Sequence, residues 1–116
     1  MNPPATVLRS VVFNLLYAIW TGGMHILCIP LLLGPRRWSR VAGGVWIDVD
    51  LWLLRNLVGL DYRVIGAENL PNAAAIFAAK HQSAWETLFF SRYLNYPAFV
   101  LKRELLSIPL FGWYLR

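Results

Sequence analysis

Residues 80–87 have the sequence Lys-His-Gln-Ser-Ala-Trp-Glu-Thr, and this stretch decides the predicted fold. It directly follows an apolar run over residues 73–79, which predicts a short buried strand ended by polar residues. A helical pattern resumes at Trp85 and continues to about residue 94. His81 is therefore expected at the carboxyl end of a strand, just before a helix begins, where α/β sheets usually place their chemistry.

The spacing of His81 and Glu86 allows two interpretations. On one continuous helix, positions five apart lie roughly 140° apart around the axis, so the two side chains would not meet. They can meet only if His81 lies outside the helix and the chain turns at Gln82 and Ser83. Ser83 is a good N-cap and Glu86 is its N3 residue, which predicts a capping box. Glu86 is then either a cap partner alone or also one half of a proton-handling pair.

Two more short strands are predicted around this centre, at residues 61–65 and 98–101, with a loop over residues 66–72. Strand–helix–strand alternation predicts a right-handed crossover and a parallel pair of strands. The predicted fold class is therefore α/β for this part of the chain.

Composition points to a membrane surface. The chain has a formal net charge of +5, six tryptophans and 58% hydrophobic residues. Its longest basic cluster, Arg36, Arg37 and Arg40, lies next to an apolar span, which fits an anionic membrane better than nucleic acid. Cys28 is the single cysteine, so no intrachain disulfide is possible.

Residues 11–33 contain no Asp, Glu, Lys or Arg. As a helix they would be roughly 34 Å long, enough to cross a hydrocarbon core of about 30 Å. Because glycines and Pro30 interrupt the run, two arrangements are open: a tilted transmembrane helix, or a bent segment inserted into one leaflet. The arginines after residue 33 outweigh Arg9, which places the following chain on the cytoplasmic side.

Residues 37–60 have apolar positions at helical spacing, which predicts an amphipathic helix closed by Gly59. The predicted apolar stripe consists of Trp38, Val41, Val45, Val49, Trp52, Leu53, Leu57 and Leu60. Asp48 and Asp50 are among the polar residues expected off that stripe. The helix suits a membrane interface, although a plain helix covering a soluble core has the same pattern.

Three stretches, in order along the chain, carry a resemblance to a known family. They are Val-Ile-Gly-Ala-Glu-Asn-Leu-Pro at 64–71, His-x-x-x-x-Glu at 81–86, and Lys-Arg-Glu-Leu-Leu-Ser-Ile-Pro-Leu-Phe-Gly-Trp at 102–113. Together they resemble the glycerolipid acyltransferase family, in particular the bacterial 1-acyl-glycerol-3-phosphate acyltransferases. The family's commonest acid is Asp, where this chain has Glu86. The family's later Glu-Gly-Thr-Arg block does not occur before Arg116, so the chain looks like the front part of such an enzyme.

The resemblance implies an organisation and a reaction. Residues 1–60 would form a membrane-associating two-helix segment, and residues 61–116 the first strands and helices of an acyltransferase α/β domain. The domain would transfer a fatty acyl group from acyl-CoA or acyl carrier protein to the sn-2 hydroxyl of lysophosphatidic acid, giving phosphatidic acid. His81 would be the general base and Glu86 its orienting acid. No metal or prosthetic group is implied, and the expected location is the cytoplasmic face of the bacterial inner membrane.

Histidine suits the task of taking the acceptor's proton at neutral pH. No Gly-x-Ser-x-Gly elbow is present, so direct attack by the acceptor hydroxyl is expected rather than an enzyme-bound serine ester.

Two further groups complete the predicted site. Lys102 and Arg103 follow a predicted strand, as His81 does, and are expected to bind the acceptor phosphate, Lys102 foremost. Solvated residues at a strand end would have the same pattern. Pro109, Phe111 and Trp113 lie in an apolar, bent segment that is either an acyl-channel wall or ordinary core.

Two other functions fit the same residues. One is an acyltransferase with a different lyso-lipid acceptor. The other is a non-catalytic, membrane-attached lipid-binding module. The two differ in thioester consumption, which only an enzyme would show.

Overall fold

The structure is a computed structural model that describes residues 3–80, 82–95, 97–109 and 112–113. Within them the chain forms three α-helices: α1 spans Pro3–Leu27, α2 spans Arg36–Leu53 and α3 spans Ala84–Tyr93. Short 3₁₀ turns occur at Ile29–Leu33, Ala67–Asn69 and Arg103–Ser107, and a π-helical turn at Leu54–Val58 continues α2.

Helices α1 and α2 form an antiparallel pair, called here the hairpin. The α-helical part of the apolar span ends at Leu27, and Pro30 lies in the first turn of the 3₁₀ segment that follows, because proline has no N–H to continue an α-helix. Near the turn, the Ser39 hydroxyl donates to the Leu31 carbonyl at 3.4 Å. Further along, the indole Nε1 of Trp46 donates to the Thr21 hydroxyl at 3.1 Å. The sequence separation of these partners grows with distance from the turn, which defines the antiparallel arrangement.

The helix that was predicted to end at Gly59 does end there, through the π-helical turn that follows α2. Gly59 has φ +79°, a left-handed conformation that favours glycine, and the Leu60 N–H donates to the Leu54 carbonyl at 3.0 Å. The amphipathic helix predicted from residue 37 to this glycine is thus confirmed, with a wider last turn.

Apart from Leu53, the face that α2 buries is not the predicted apolar stripe. Its buried residues are Gly44, Ile47, Asp50 and Leu53, whereas Trp38, Val41, Val45 and Trp52 are exposed. Asp50, expected on the polar side, is fully buried at 0% exposure. The arrangement has a physical reason: α1 contacts α2 at Trp46 and α3 contacts it at Asp48, so the face between these two positions is buried and the tryptophan-rich stripe faces outward.

The hairpin therefore has an apolar exterior. Residues Pro4–Leu27 of α1 are long and apolar enough to cross a membrane, judged by length and composition. The outward positions of α1 include Leu8, Leu15, Ile19 and Leu27. An exposed surface of this kind on both helices is typical of a segment that contacts lipid.

The α/β prediction is wrong for the described residues, which contain no strand and no sheet. The segments 61–65, 73–79 and 98–101 are irregular, so the predicted parallel pair is absent. Ile76 is 99% exposed and Val100 fully exposed, so these apolar runs are not buried. A strand is stabilised by hydrogen bonds and packing with neighbouring strands, and these segments do not pair with one another.

Candidate functional site

The capping box predicted at the start of α3 is confirmed. The Ser83 hydroxyl accepts from the Trp85 N–H at 3.2 Å, and one Glu86 carboxylate oxygen accepts from the Ser83 N–H at 2.8 Å. The Gln82 N–H donates to that same oxygen, and the Ser83 hydroxyl donates to the other one at 2.8 Å. Glu86 therefore closes residues 82–83 onto the first turn of α3.

These hydrogen bonds keep Glu86 charged. Donation from the Ser83 backbone, helped by the Ser83 hydroxyl and the Gln82 backbone, lowers the pKa of Glu86 to about 2. The carboxylate is therefore ionised throughout the neutral range.

His81, the predicted base, lies outside the described residues, so its pairing with Glu86 stays a prediction. In the chain it immediately precedes Gln82, whose N–H is held by Glu86. The first residue held by the Glu86 carboxylate, Gln82, is therefore the direct neighbour of His81 in the chain.

An aromatic cluster extends along α3 from this cap. The rings of Trp85 and Phe89 stack with centroids 5.1 Å apart, and Phe89 stacks on Tyr93 at 5.0 Å. Tyr62, from the segment after the hairpin, packs edge-on against Phe89 at 4.7 Å. This arrangement buries Phe89 and is favourable by its ring geometry as well as its area.

An open groove of about 360 Å³ lies beside that cluster. Its walls are the aromatic rings with Val64, and its polar residues are Arg63 and Glu86. It is called here the aromatic groove. Apolar walls with a few polar groups are the usual lining of sites for small-molecule ligands.

An ion pair connects α3 to the hairpin. Arg92 Nε lies 2.7 Å from one Asp48 carboxylate oxygen, and Arg92 Nη2 lies 2.9 Å from the other. Two parallel N–H···O bonds of this kind fix orientation as well as distance. α3 is thus held at its last turn by Arg92 and capped at its first by Ser83 and Glu86.

The other predicted site residues lie further along the chain. Lys102 and Arg103 are exposed at the start of the 3₁₀ turn Arg103–Ser107, and their role in phosphate binding stays a prediction. Pro109 and Trp113 are exposed, so the described part of the predicted channel wall is not packed in a core. Phe111 lies outside the described residues.

Sequence reasoning missed two features. Asp50 is buried with neither carboxylate oxygen hydrogen-bonded within the described structure, and burial raises its pKa to about 7. The Asp48–Arg92 pair joins residues 44 positions apart, a separation that no local pattern indicates. For Asp50 one signal was present: it lies three residues from both Ile47 and Leu53, on one helical face. Within the described ranges, no group of three metal-ligating side chains occurs.

Comparison with known proteins identifies the class. The family described as Acyltransferase matches residues 61–116, the part of the chain that contains the capped helix and the aromatic groove. This second half of the chain is thus an acyltransferase-family segment, and the resemblance seen in the sequence is confirmed.

A particular relative extends the match to the hairpin. The chain is 38% identical over 112 residues to a 1-acyl-sn-glycerol-3-phosphate acyltransferase of Pseudomonas aeruginosa. The match covers 93% of this chain and 43% of the relative, so the chain spans less than half of that protein's length. No solved structure matches the chain.

Proposed function

We propose that the full-length protein transfers a fatty acyl group from an acyl thioester to the sn-2 hydroxyl of 1-acyl-sn-glycerol-3-phosphate, giving phosphatidic acid in phospholipid biosynthesis. The observation that carries the proposal is the ionised Glu86, whose carboxylate binds the N–H of Gln82, the residue after His81, inside the segment that matches the acyltransferase family. The relative's printed activity supplies the acceptor. The donor is an acyl-CoA or an acyl carrier protein thioester, and no metal or prosthetic group takes part.

The proposed chemistry is a direct displacement. His81 takes the proton of the acceptor hydroxyl as its oxygen bonds to the acyl carbon. The carbon–sulfur bond breaks, and the thiolate leaves and takes up a proton. The charged Glu86 orients the imidazole and stabilises the imidazolium that forms, a role that its low pKa fits.

The substrate groups are assigned to neighbouring parts of the segment. Lys102, with Arg103 beside it, binds the acceptor phosphate, since both are exposed cations in the matched region. Pro109, Phe111 and Trp113 wall the acyl channel. The aromatic groove supports a lipid substrate independently, because its apolar walls lead to Glu86.

The hairpin is proposed to attach the enzyme to the cytoplasmic face of the inner membrane. Arg36 and Arg37 begin α2, at the positive end of the helix dipole, an arrangement that anionic headgroups would stabilise. Asp48 is exposed on α2, which packs back along α1. If α1 crossed the bilayer, α2 would carry Asp48, together with its ion-pair partner Arg92 of α3, into hydrocarbon, which is costly. We therefore favour insertion into one leaflet.

Protease access tests this placement. An epitope tag ahead of Met1, with its own cleavage site, should resist protease added to the periplasmic side of sealed membrane vesicles. The same tag should be removed when vesicles of opposite orientation expose the cytoplasmic side. Cleavage from the periplasmic side would instead show that α1 spans the membrane.

Thiol release tests the proposed reaction. The full-length protein, in vesicles with palmitoyl-CoA, should release free thiol when lysophosphatidic acid is added and much less when lysophosphatidylcholine replaces it. Equal or faster release with lysophosphatidylcholine would favour another lyso-lipid acceptor. Lysolipid binding without any thiol release would favour the non-catalytic lipid-binding module, which the exposed apolar hairpin alone also supports.

A further inference from the structure

The Asp48–Arg92 pair lies between the two parts of the molecule that the proposed function assigns to different tasks. Asp48 belongs to α2 of the hairpin, and Arg92 to the last turn of α3, whose first turn contains Glu86. Within the described residues, this ion pair joins α3 to α2, and the packing of Phe89 on Tyr62 joins α3 to the segment after the hairpin.

These two kinds of contact constrain α3 differently. Burial of the Phe89 ring is favourable but non-directional, so it permits the helix to rotate about its contact. The paired bonds at 2.7 and 2.9 Å require the guanidinium plane to face the carboxylate, so they set a direction. The two side chains are 39% and 53% exposed, so the pair contributes little to global stability. Its structural effect is on orientation.

Because α3 is one continuous helix, its direction at Arg92 also fixes the position of its first turn, which contains Glu86. The helix has ten residues, and its capping box binds Gln82 and Ser83 to Glu86. Residues 82–83 therefore follow the helix axis rather than moving independently. A change in the direction of α3 would displace the Glu86 carboxylate and the segment that follows His81.

We propose that Asp48 and Arg92 are positioning residues: their ion pair sets the direction of α3, and with it the Glu86 end of the site, relative to the membrane-attached hairpin. The inference rests on the proposed acyl transfer and adds two residues outside the family-defining stretches. Neither residue touches substrate in this account. They act on turnover through the placement of Glu86.

The test uses the full-length protein in phosphatidylglycerol and phosphatidylethanolamine vesicles, with lysophosphatidic acid and palmitoyl-CoA. Arg92→Gln should lower kcat by about 10-fold and leave KM for lysophosphatidic acid within about twofold, because a misdirected catalytic group slows the chemical step. The exchanged pair, D48R with R92D, should recover most of the lost kcat. Arg55→Gln is the matched control, since it breaks a comparable exposed pair, Arg55–Asp61 at 3.3 Å, that does not involve α3.

Wild-type kcat in Arg92→Gln would overturn the inference, and so would an exchanged pair as slow as Arg92→Gln. Amide hydrogen exchange over residues 84–93 separates this failure from failure of the proposed function. If the wild-type protein transfers no acyl group, the proposed function fails. Amide hydrogen exchange alone then decides whether the Asp48–Arg92 pair positions α3. Faster exchange in Arg92→Gln than in Arg55→Gln then supports the positioning role, and equal exchange overturns it.

Discussion

Replacing His81 with alanine is expected to reduce acyl transfer by the full-length protein by about 10²–10⁴-fold, the usual contribution of a general base. The acceptor hydroxyl would then have no positioned group to take its proton. Membrane attachment should be unchanged, because the hairpin lies in a different part of the chain. Thiol release by vesicle-bound protein measures the first effect, and co-sedimentation with the vesicles measures the second.

His25 provides the matched control for this substitution. It lies on α1, where its Nδ1 is 2.7 Å from the Thr21 carbonyl oxygen and its ring contacts Trp46 edge-on. His25→Ala should leave turnover within about twofold of wild type, because the residue lies outside the acyltransferase segment. If His81→Ala retained the wild-type rate, the assignment of a histidine base would be wrong.

Asp50→Asn is expected to stabilise the folded protein at pH 8 and to have little effect at pH 4. Burial raises the pKa of Asp50 from its ordinary 3.8 to about 7, so the folded state holds this proton where the unfolded state has released it. From pH 4 to pH 8 the free energy of unfolding therefore falls by on the order of 3 kcal/mol. Asparagine is uncharged throughout and removes this loss.

Thermal unfolding in detergent micelles, followed by circular dichroism from pH 4 to pH 8, measures the effect. The wild-type midpoint should fall across this range more than that of Asp50→Asn. Asp48→Asn is the control: it is the exposed neighbour, and its loss breaks the ion pair to Arg92 without changing the buried carboxyl. Parallel pH profiles for wild type and Asp50→Asn would show that Asp50 is not buried in the folded protein.

The parts of the fold that were predicted correctly depend on neighbouring residues. The capping box needs only Ser83 and Glu86, three positions apart, and the end of the π-helical turn after α2 needs only the left-handed conformation that Gly59 permits. Both signals are complete within one turn of chain, so tertiary packing does not have to supply them.

The incorrect predictions depend on partners far along the chain. The apolar run at 73–79 has strand-like composition, but a strand forms only when neighbours satisfy its backbone groups, and Ile76 remains exposed. For α2, hydrophobicity predicted Asp50 on the polar side of the helix, whereas Asp50 is fully buried. Asp50 is buried because α1 and α3 pack where they do, and the Asp48–Arg92 contact across 44 positions has the same origin.

The pH dependence of acyl transfer tests the proposed site most directly. Acyl transfer from palmitoyl-CoA to lysophosphatidic acid by the full-length protein should rise with pH and level off through one inflection between pH 5 and pH 8, the range in which histidine side chains change charge. Glu86 should add no second inflection above pH 5, because its pKa is about 2. A rate independent of pH between 5 and 8, or the same inflection in His81→Ala, would contradict a histidine base held beside an ionised Glu86.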